Sequence, residues 1–303
     1  MWFKTELWII IILSLLDPFW CSVRSTVVIA RHLPAISRFP LIVPLLRLDK
    51  RTDDWLLVHS PVPISCIFFC YLIIIWVGPK LMAKREPVNL KPVLIVYNFA
   101  MVCLSAYMFY EFTASSWLAG YSLLCQPVDY SHSSLMARVC WWFYFSKVIE
   151  LSDTIFFILR KKNSQLTFLH VYHHATMIFN WWAGVKYVAG GQSFLIGLIN
   201  SLVHVVMYLY YGLAALGPNM AKYLWWKRYL TSLQLLQFFI VTIHTAYNLF
   251  ADCDFPDSMN VVVLAYSLSL IALFSNFYYR SYLVKQGREN SARPQRKYTK
   301  KVA

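Results

Sequence analysis

Residues 167–184 read Thr167-Phe-Leu-His170-Val-Tyr172-His173-His174-Ala-Thr-Met-Ile-Phe-Asn-Trp-Trp-Ala-Gly184. A run of this length is close to the ~20 residues with which a helix crosses ~30 Å of hydrocarbon. It lacks the alternation of a strand, so a helix is expected. On that helix His170, His173 and His174 stand at i, i+3 and i+4 and share one face. A single buried histidine is usually a satisfied core residue. Three on one face of a lipid-embedded helix are hard to explain as packing, because ionisable groups there are costly.

Six further apolar stretches lie near residues 61–78, 93–112, 139–159, 194–216, 231–250 and 260–282, making seven candidate spans. The whole chain agrees, with 59% hydrophobic and 14% charged residues. A soluble domain has about 45–50% and 25%, and so much apolar surface would leave sticky patches in water. The expected class is an all-α, polytopic membrane protein. Three regions are expected: an atypical, signal-like or interfacial segment 1–56, a seven-helix membrane domain 57–283, and a basic tail 284–303.

The net charge of +14 is divided among alternate loops. Lys80, Lys84, Arg85 and Lys91 follow the first span, and Arg160, Lys161 and Lys162 follow the third. Lys222, Lys227 and Arg228 follow the fifth, and Arg280, Lys285 and Arg288 the last. The loop 251–259 carries three aspartates and no cation. This alternation places the basic loops and the C-terminus in the cytosol, and it argues against nucleic acid as a partner. Cys125 and Cys253 then fall in two luminal loops, where a disulfide can persist, and are expected to be bonded.

Polar groups gather in three other spans. Lys147, Glu150 and Thr154 form a stripe on the third, with Asp153 beside Glu150. They can be a buried ion-pair network that specifies helix packing, or part of an active site. The fifth carries Asn200, His204, Met207 and Tyr211 at i, i+4, i+7 and i+11, with Tyr208 nearby. The sixth holds Thr231, Gln234, Gln237 and His244, and its glutamines suit interhelical hydrogen bonding.

Two chemistries use such a histidine cluster. Imidazole binds iron, copper or zinc, as in membrane lipid oxidases and hydroxylases, which also carry HxxHH boxes. A di-iron site of that style is expected to need several such boxes, and of only eight histidines in the chain three (His32, His59, His132) lie outside the spans, so one cluster with His204 and His244 falls short. Imidazole is also a general base and a nucleophile whose acyl derivative stays activated. Cys140 shares a stripe with Lys147 but has no histidine on its helix to activate it, so a thiolate is the weaker candidate.

Four segments together resemble the fatty acid elongases of the endoplasmic reticulum, which are 3-ketoacyl-CoA synthases. They are Lys147-Val-Ile-Glu150-Leu-Ser-Asp153-Thr154, His170-Val-Tyr-His173-His174, Asn200-Ser-Leu-Val-His204-Val-Val-Met207-Tyr208-Leu-Tyr210-Tyr211 and Thr231-Ser-Leu-Gln234-Leu-Leu-Gln237. The resemblance covers roughly residues 53–283. It implies seven helices, six of them around an acyl-chain tunnel, and condensation of malonyl-CoA with a long-chain acyl-CoA to give 3-ketoacyl-CoA, CO2 and CoA.

No metal or redox cofactor is implied. A homodimer is, with association with the ketoreductase, dehydratase and enoyl reductase of elongation. Carried over, His173 is the nucleophile and His204 its partner. His170 and His174 orient them, Asn200 and Tyr208 offer donors to an enolate, and Lys147, Glu150, Asp153, Gln234 and Gln237 support them. Arg160, Lys161, Lys162, Lys227, Arg228 and Arg280 are candidates for CoA phosphates; anionic lipid headgroups explain the same charges. Lys300-Lys301-Val302-Ala303 looks like a dilysine retrieval signal. Tyr172 and Gln165 resemble the branch acting on polyunsaturated and very long chains, and residues 158–229 are similar to vertebrate subtypes four and eight.

Overall fold

The computed structural model describes residues 49–130, 135–251 and 253–284. Residues 1–48 of the atypical N-terminal segment, and the tail from 285 with its dilysine signal, lie outside the described residues. Eight α-helices are found among the described residues: α1 (Pro61–Met82), α2 (Lys91–Leu118), α3 (Leu135–Glu150), α4 (Ser152–Leu159), α5 (Phe168–Tyr187), α6 (Ser193–Leu216), α7 (Lys227–Phe250) and α8 (Asp257–Tyr278). A 3-10 turn at Pro218–Tyr223 joins α6 to α7, and a π turn at Tyr279–Leu283 continues α8.

Local chemistry sets the starts that matter. Ser60 accepts a hydrogen bond from the Val62 amide and Pro61 opens α1, which suits a first turn that has no use for its N–H. Thr167 caps α5 by accepting from the His170 amide at 3.2 Å. This cap holds the first histidine at the very start of the helix.

The stretch 139–159, read from sequence as one span, is two helices. At Leu151 the backbone tightens into i→i−3 bonds, Leu151 N to Val148 O and Thr154 N to Leu151 O. Ser152, Asp153 and Thr154 follow at once, residues whose side chains compete with helical backbone bonding. The break turns Thr154 toward α1 and α5, while Lys147 and Glu150 stay turned toward α6.

Neighbouring helices close a ring. α2 packs on α6, α6 on α7, α7 on α8, α8 on α5, α5 on α3 and α3 on α2; α1 lies outside against α4 and α5. The α2–α6 seam is the most extensive, and two glycines explain its closeness. A Cβ on Gly197 would stand 2.4 Å from the Phe112 ring, and one on Gly212 3.3 Å from Phe99. Small residues that let backbones approach are the usual glue of helices in lipid. Among the described residues, five helices are long and apolar enough to cross a membrane: α1, α2, α6, α7 and α8 with its extension. α3 and α4 are shortened by their break, and α5 is made more polar by the residues described next.

Residues before 57 also pack on the helical body. Asp49 and Thr52 are buried, and Thr52 donates to the Val185 carbonyl at 3.0 Å. At the same end Cys125 and Cys253 are joined, as their loops suggested.

Candidate active site

The polar residues picked out from sequence converge inside the ring. Lys147 Nζ donates to Glu150 Oε1 at 2.8 Å and to Asn200 Oδ1 at 3.1 Å. His204 Nδ1 lies 3.2 Å from the same Glu150 oxygen, and Asn200 Nδ2 donates to Gln237 Oε1 at 3.2 Å. Five side chains from α3, α6 and α7 thus form one network, each less than 7% exposed. Lys147 Nζ also faces His204 Nδ1, at 3.5 Å; the shorter contact, to the carboxylate, is satisfied by a proton on Nδ1, which leaves the lone pair on Nε2.

A second chain of contacts runs from α1. The Tyr71 hydroxyl meets Thr154 Oγ1 at 3.1 Å, and Thr154 Oγ1 meets His170 Nε2 at 2.8 Å. The His170 and His174 rings lie 4.3 Å apart, and His174 stands perpendicular to His173 at 5.2 Å. His173 and His174 are within electrostatic reach of the Lys147–Glu150 pair. The His173 ring makes no hydrogen bond to another described side chain, nor one to His204.

Beyond His173 the same stripe of α5 becomes a cavity wall. Met177, Trp181 and Gly184 line an apolar cavity of about 90 Å³, together with Phe143, Phe238, Val241, Tyr266 and Leu270. Asn200 and Gln237 line it too, so the polar network and the cavity share a border. The apolar cavity thus continues the histidine stripe of α5, while His170, His173, His174 and His204 are not among the residues that line it.

Tyr208, beside the inward stripe expected on α6, is buried where Tyr211, on that stripe, is not. Its phenol is 1% exposed and donates to Asp153 Oδ2 at 3.1 Å, whereas Tyr211 is 43% exposed. The two are about 60° apart around the helix, and Asp153 of α4 lies on the Tyr208 side. Gln234 donates to Met207 Sδ at 3.4 Å, a link between α7 and α6 of the kind expected for interhelical glue. Gln237, read the same way from sequence, instead completes the network. Among the described residues, no group of three or more His, Cys, Asp or Glu is placed to hold a metal ion.

Residues 56–290 match the model of the ELO: GNS1/SUR4 family, and that stretch contains every residue of both chains of contacts. The chain belongs to the ELO family. Among its relatives, human "very long chain fatty acid elongase 4" is 53% identical over 237 residues, 77% of this chain and 76% of that protein. Rat "very long chain fatty acid elongase 7" is 50% identical over 240 residues, 77% of this chain and 85% of the relative. Human "very long chain fatty acid elongase 1" is 46% identical over 240 residues, covering 77% and 86%.

In this ELO-family chain the six candidate cations differ in what they do. Lys161 Nζ donates to the carbonyls of Ala83 and Arg85 at 3.1 and 3.0 Å, pinning the α1–α2 loop. Arg228 donates to the Tyr278 hydroxyl at 2.6 Å and lies over that ring. Lys162, Lys227 and Arg280 are exposed and Arg160 half-buried. Sequence reasoning missed Tyr71 and the Met177–Trp181–Gly184 wall. Tyr71 stands in an apolar run with no polar neighbour at helical spacing, and only its position against Thr154 singles it out.

Proposed function

We propose that this ELO-family chain condenses malonyl-CoA with a very long, polyunsaturated acyl-CoA through an acyl-imidazole on His173. The chain is a condensing enzyme of fatty acid elongation, a 3-ketoacyl-CoA synthase, as its family and its elongase relatives establish. The observation that supports the residue assignment is the His173 imidazole, not hydrogen-bonded to another described side chain, on the stripe that continues as the wall of the apolar cavity.

In the first half-reaction a His173 nitrogen attacks the thioester carbonyl. The C–N bond forms, the C–S bond breaks, and CoA leaves as the thiol with the proton that His173 gives up. Exclusion of water by the helical ring protects the acyl-imidazole. In the second, malonyl-CoA loses CO2 and its electron pair becomes the enolate of acetyl-CoA. That carbon attacks the acyl carbonyl, the C–N bond breaks, and the leaving His173 nitrogen takes up a proton from solvent, the one the overall decarboxylative condensation consumes. His204, its Nδ1 held by Glu150, presents Nε2 as the group that moves protons. Asn200 sits where it can steady the enolate oxygen. No metal or redox cofactor enters this scheme.

The wider reading follows the family. The chain crosses the endoplasmic reticulum membrane seven times, α3 and α4 together making one crossing, with its C-terminus in the cytosol. The ring of six helices is the acyl tunnel, and Arg160, Lys162, Lys227 and Arg280 are the cations left to meet CoA phosphates. It works as a homodimer beside the ketoreductase, dehydratase and enoyl reductase of elongation. The test is to incubate purified protein with labelled malonyl-CoA and a panel of acyl-CoAs. A 3-ketoacyl product two carbons longer is expected, absent in His173→Ala; wild-type turnover in that variant would contradict the assignment.

A further inference from the structure

α1 lies outside the helical ring, yet it sends one polar group toward the histidines. Tyr71 stands about 15 Å along α1 from Pro61, midway in an apolar span, where a hydroxyl is costly unless it is bonded. It is 3% exposed, and its Oη meets Thr154 Oγ1 at 3.1 Å. Thr154 is fully buried, and its hydroxyl also meets His170 Nε2 at 2.8 Å. Among the described residues these are the only hydrogen bonds of the two hydroxyls.

Counting protons settles the direction of both bonds. If Tyr71 donates to Thr154 and Thr154 donates to His170 Nε2, both hydroxyl protons are bonded. In the opposite direction His170 donates from Nε2 and Thr154 donates to Tyr71, which leaves the phenol's own proton without an acceptor. If His170 and Tyr71 both donate to Thr154, the Thr154 proton is stranded instead. Thr176 gives its proton to the carbonyl four residues back, that of Tyr172; Thr154 makes no such bond. A buried donor without an acceptor is rare and costly, so the first arrangement holds. His170 then carries its ring proton on Nδ1.

We propose that Tyr71 is a positioning residue for acyl transfer, which acts through Thr154 to fix His170 as the Nδ1–H tautomer. This deepens the proposed function and rests on its reading of the histidine face as the acylation site. The Thr167 cap holds the backbone of His170, and the two hydroxyls hold its ring. That ring lies 4.3 Å from His174, which in turn lies 5.2 Å from His173. The imidazole fixed from α1 is therefore one ring removed from the nucleophile. A hydrogen bond to one nitrogen of an imidazole sets the proton and the orientation of the other, which is how partners outside a site tune the histidines within it.

The experiment uses the full chain in lipid nanodiscs with isotopically labelled histidine. Nitrogen chemical shifts report which ring nitrogen is protonated, and the His170 signal is identified by its loss in His170→Gln. The wild type is expected to show His170 protonated on Nδ1, and Tyr71→Phe a mixture of both tautomers. CoA released on mixing with acyl-CoA, without malonyl-CoA, is expected to appear about tenfold more slowly in Tyr71→Phe with acyl-CoA affinity unchanged, the scale on which losing a histidine's orienting partner is felt in metal sites. Thr154→Val should match this loss and the two combined should add nothing, whereas Thr154→Ser keeps the wild-type rate. A wild-type His170 protonated on Nε2 overturns the proposal. So does an unchanged rate in Tyr71→Phe, which would reduce the hydroxyls to glue between helices. Should Thr154→Val fail to fold, Tyr71→Phe, which removes a single oxygen, decides with the spectra. If the wild type releases no early CoA, the acyl-imidazole reading fails by itself, and the tautomer with the overall condensation rate decides for Tyr71.

Discussion

At the scale of single residues the decisive question is what Lys147 and Glu150 are for. Their sequence spacing fits an ion pair that merely specifies packing as well as it fits a catalytic support. In the structure Glu150 Oε1 serves Lys147 and His204 at once, so the pair also sets the imidazole's proton. A substitution pair separates the two roles. Glu150→Gln alone leaves a buried ammonium uncompensated and is expected to cost about 3–5 kcal/mol. Replacing both, Lys147→Met with Glu150→Leu, is expected to restore stability close to wild type, since buried ion pairs are often replaceable by apolar groups. Condensation activity is expected to stay lost in that double variant. Thermal unfolding and product formation measured on the same preparations check this, and an active double variant would reduce the pair to packing. The histidine face was legible from spacing alone because three costly groups at i, i+3 and i+4 admit few explanations. Tyr71 was not, because the partner of its phenol, Thr154, sits 83 residues away.

At the scale of elements, helix positions could be read from hydropathy, and five of the expected spans have the length and composition to cross a membrane. The break at Leu151 could not, because it depends on a local competition for backbone bonds that apolar counting does not register. The inward turn of Tyr208 in place of Tyr211 was hidden for a related reason: helical spacing defines a stripe, but the neighbouring helix decides which side of the stripe is buried. The α2–α6 seam yields a sharp expectation. Phe112 is fully buried and lies 6.0 Å, centroid to centroid, from Phe143, so it has little room to yield. Gly197→Ala is expected to cost about 1–3 kcal/mol through overpacking. Phe112→Leu in the same chain should recover most of it. Melting temperatures of the single and double variants decide, and an unchanged melting temperature in Gly197→Ala would show the seam to be looser than described.

At the scale of the whole molecule, an apolar cavity lies within a helical body that a disulfide cross-links. Cys125 and Cys253, expected from their loops to be bonded, are joined. What lines the cavity was not readable, because Phe143, Trp181, Phe238 and Tyr266 come from four helices whose register only packing sets. The cross-link spans 128 residues, and closing so long a loop is expected to stabilise the fold by about 2–5 kcal/mol. Cys253→Ser should therefore melt lower than wild type, and reductant should lower the wild type alone. The proposed function turns on one intermediate, an acyl group on His173. Its most direct test is to mix the purified protein with acyl-CoA in the absence of malonyl-CoA, then map the modified peptides by mass spectrometry and titrate the CoA released. The account predicts CoA release in step with acylation, and an acyl adduct on His173. An adduct on Cys140, or turnover with no covalent species and no early CoA, would contradict it.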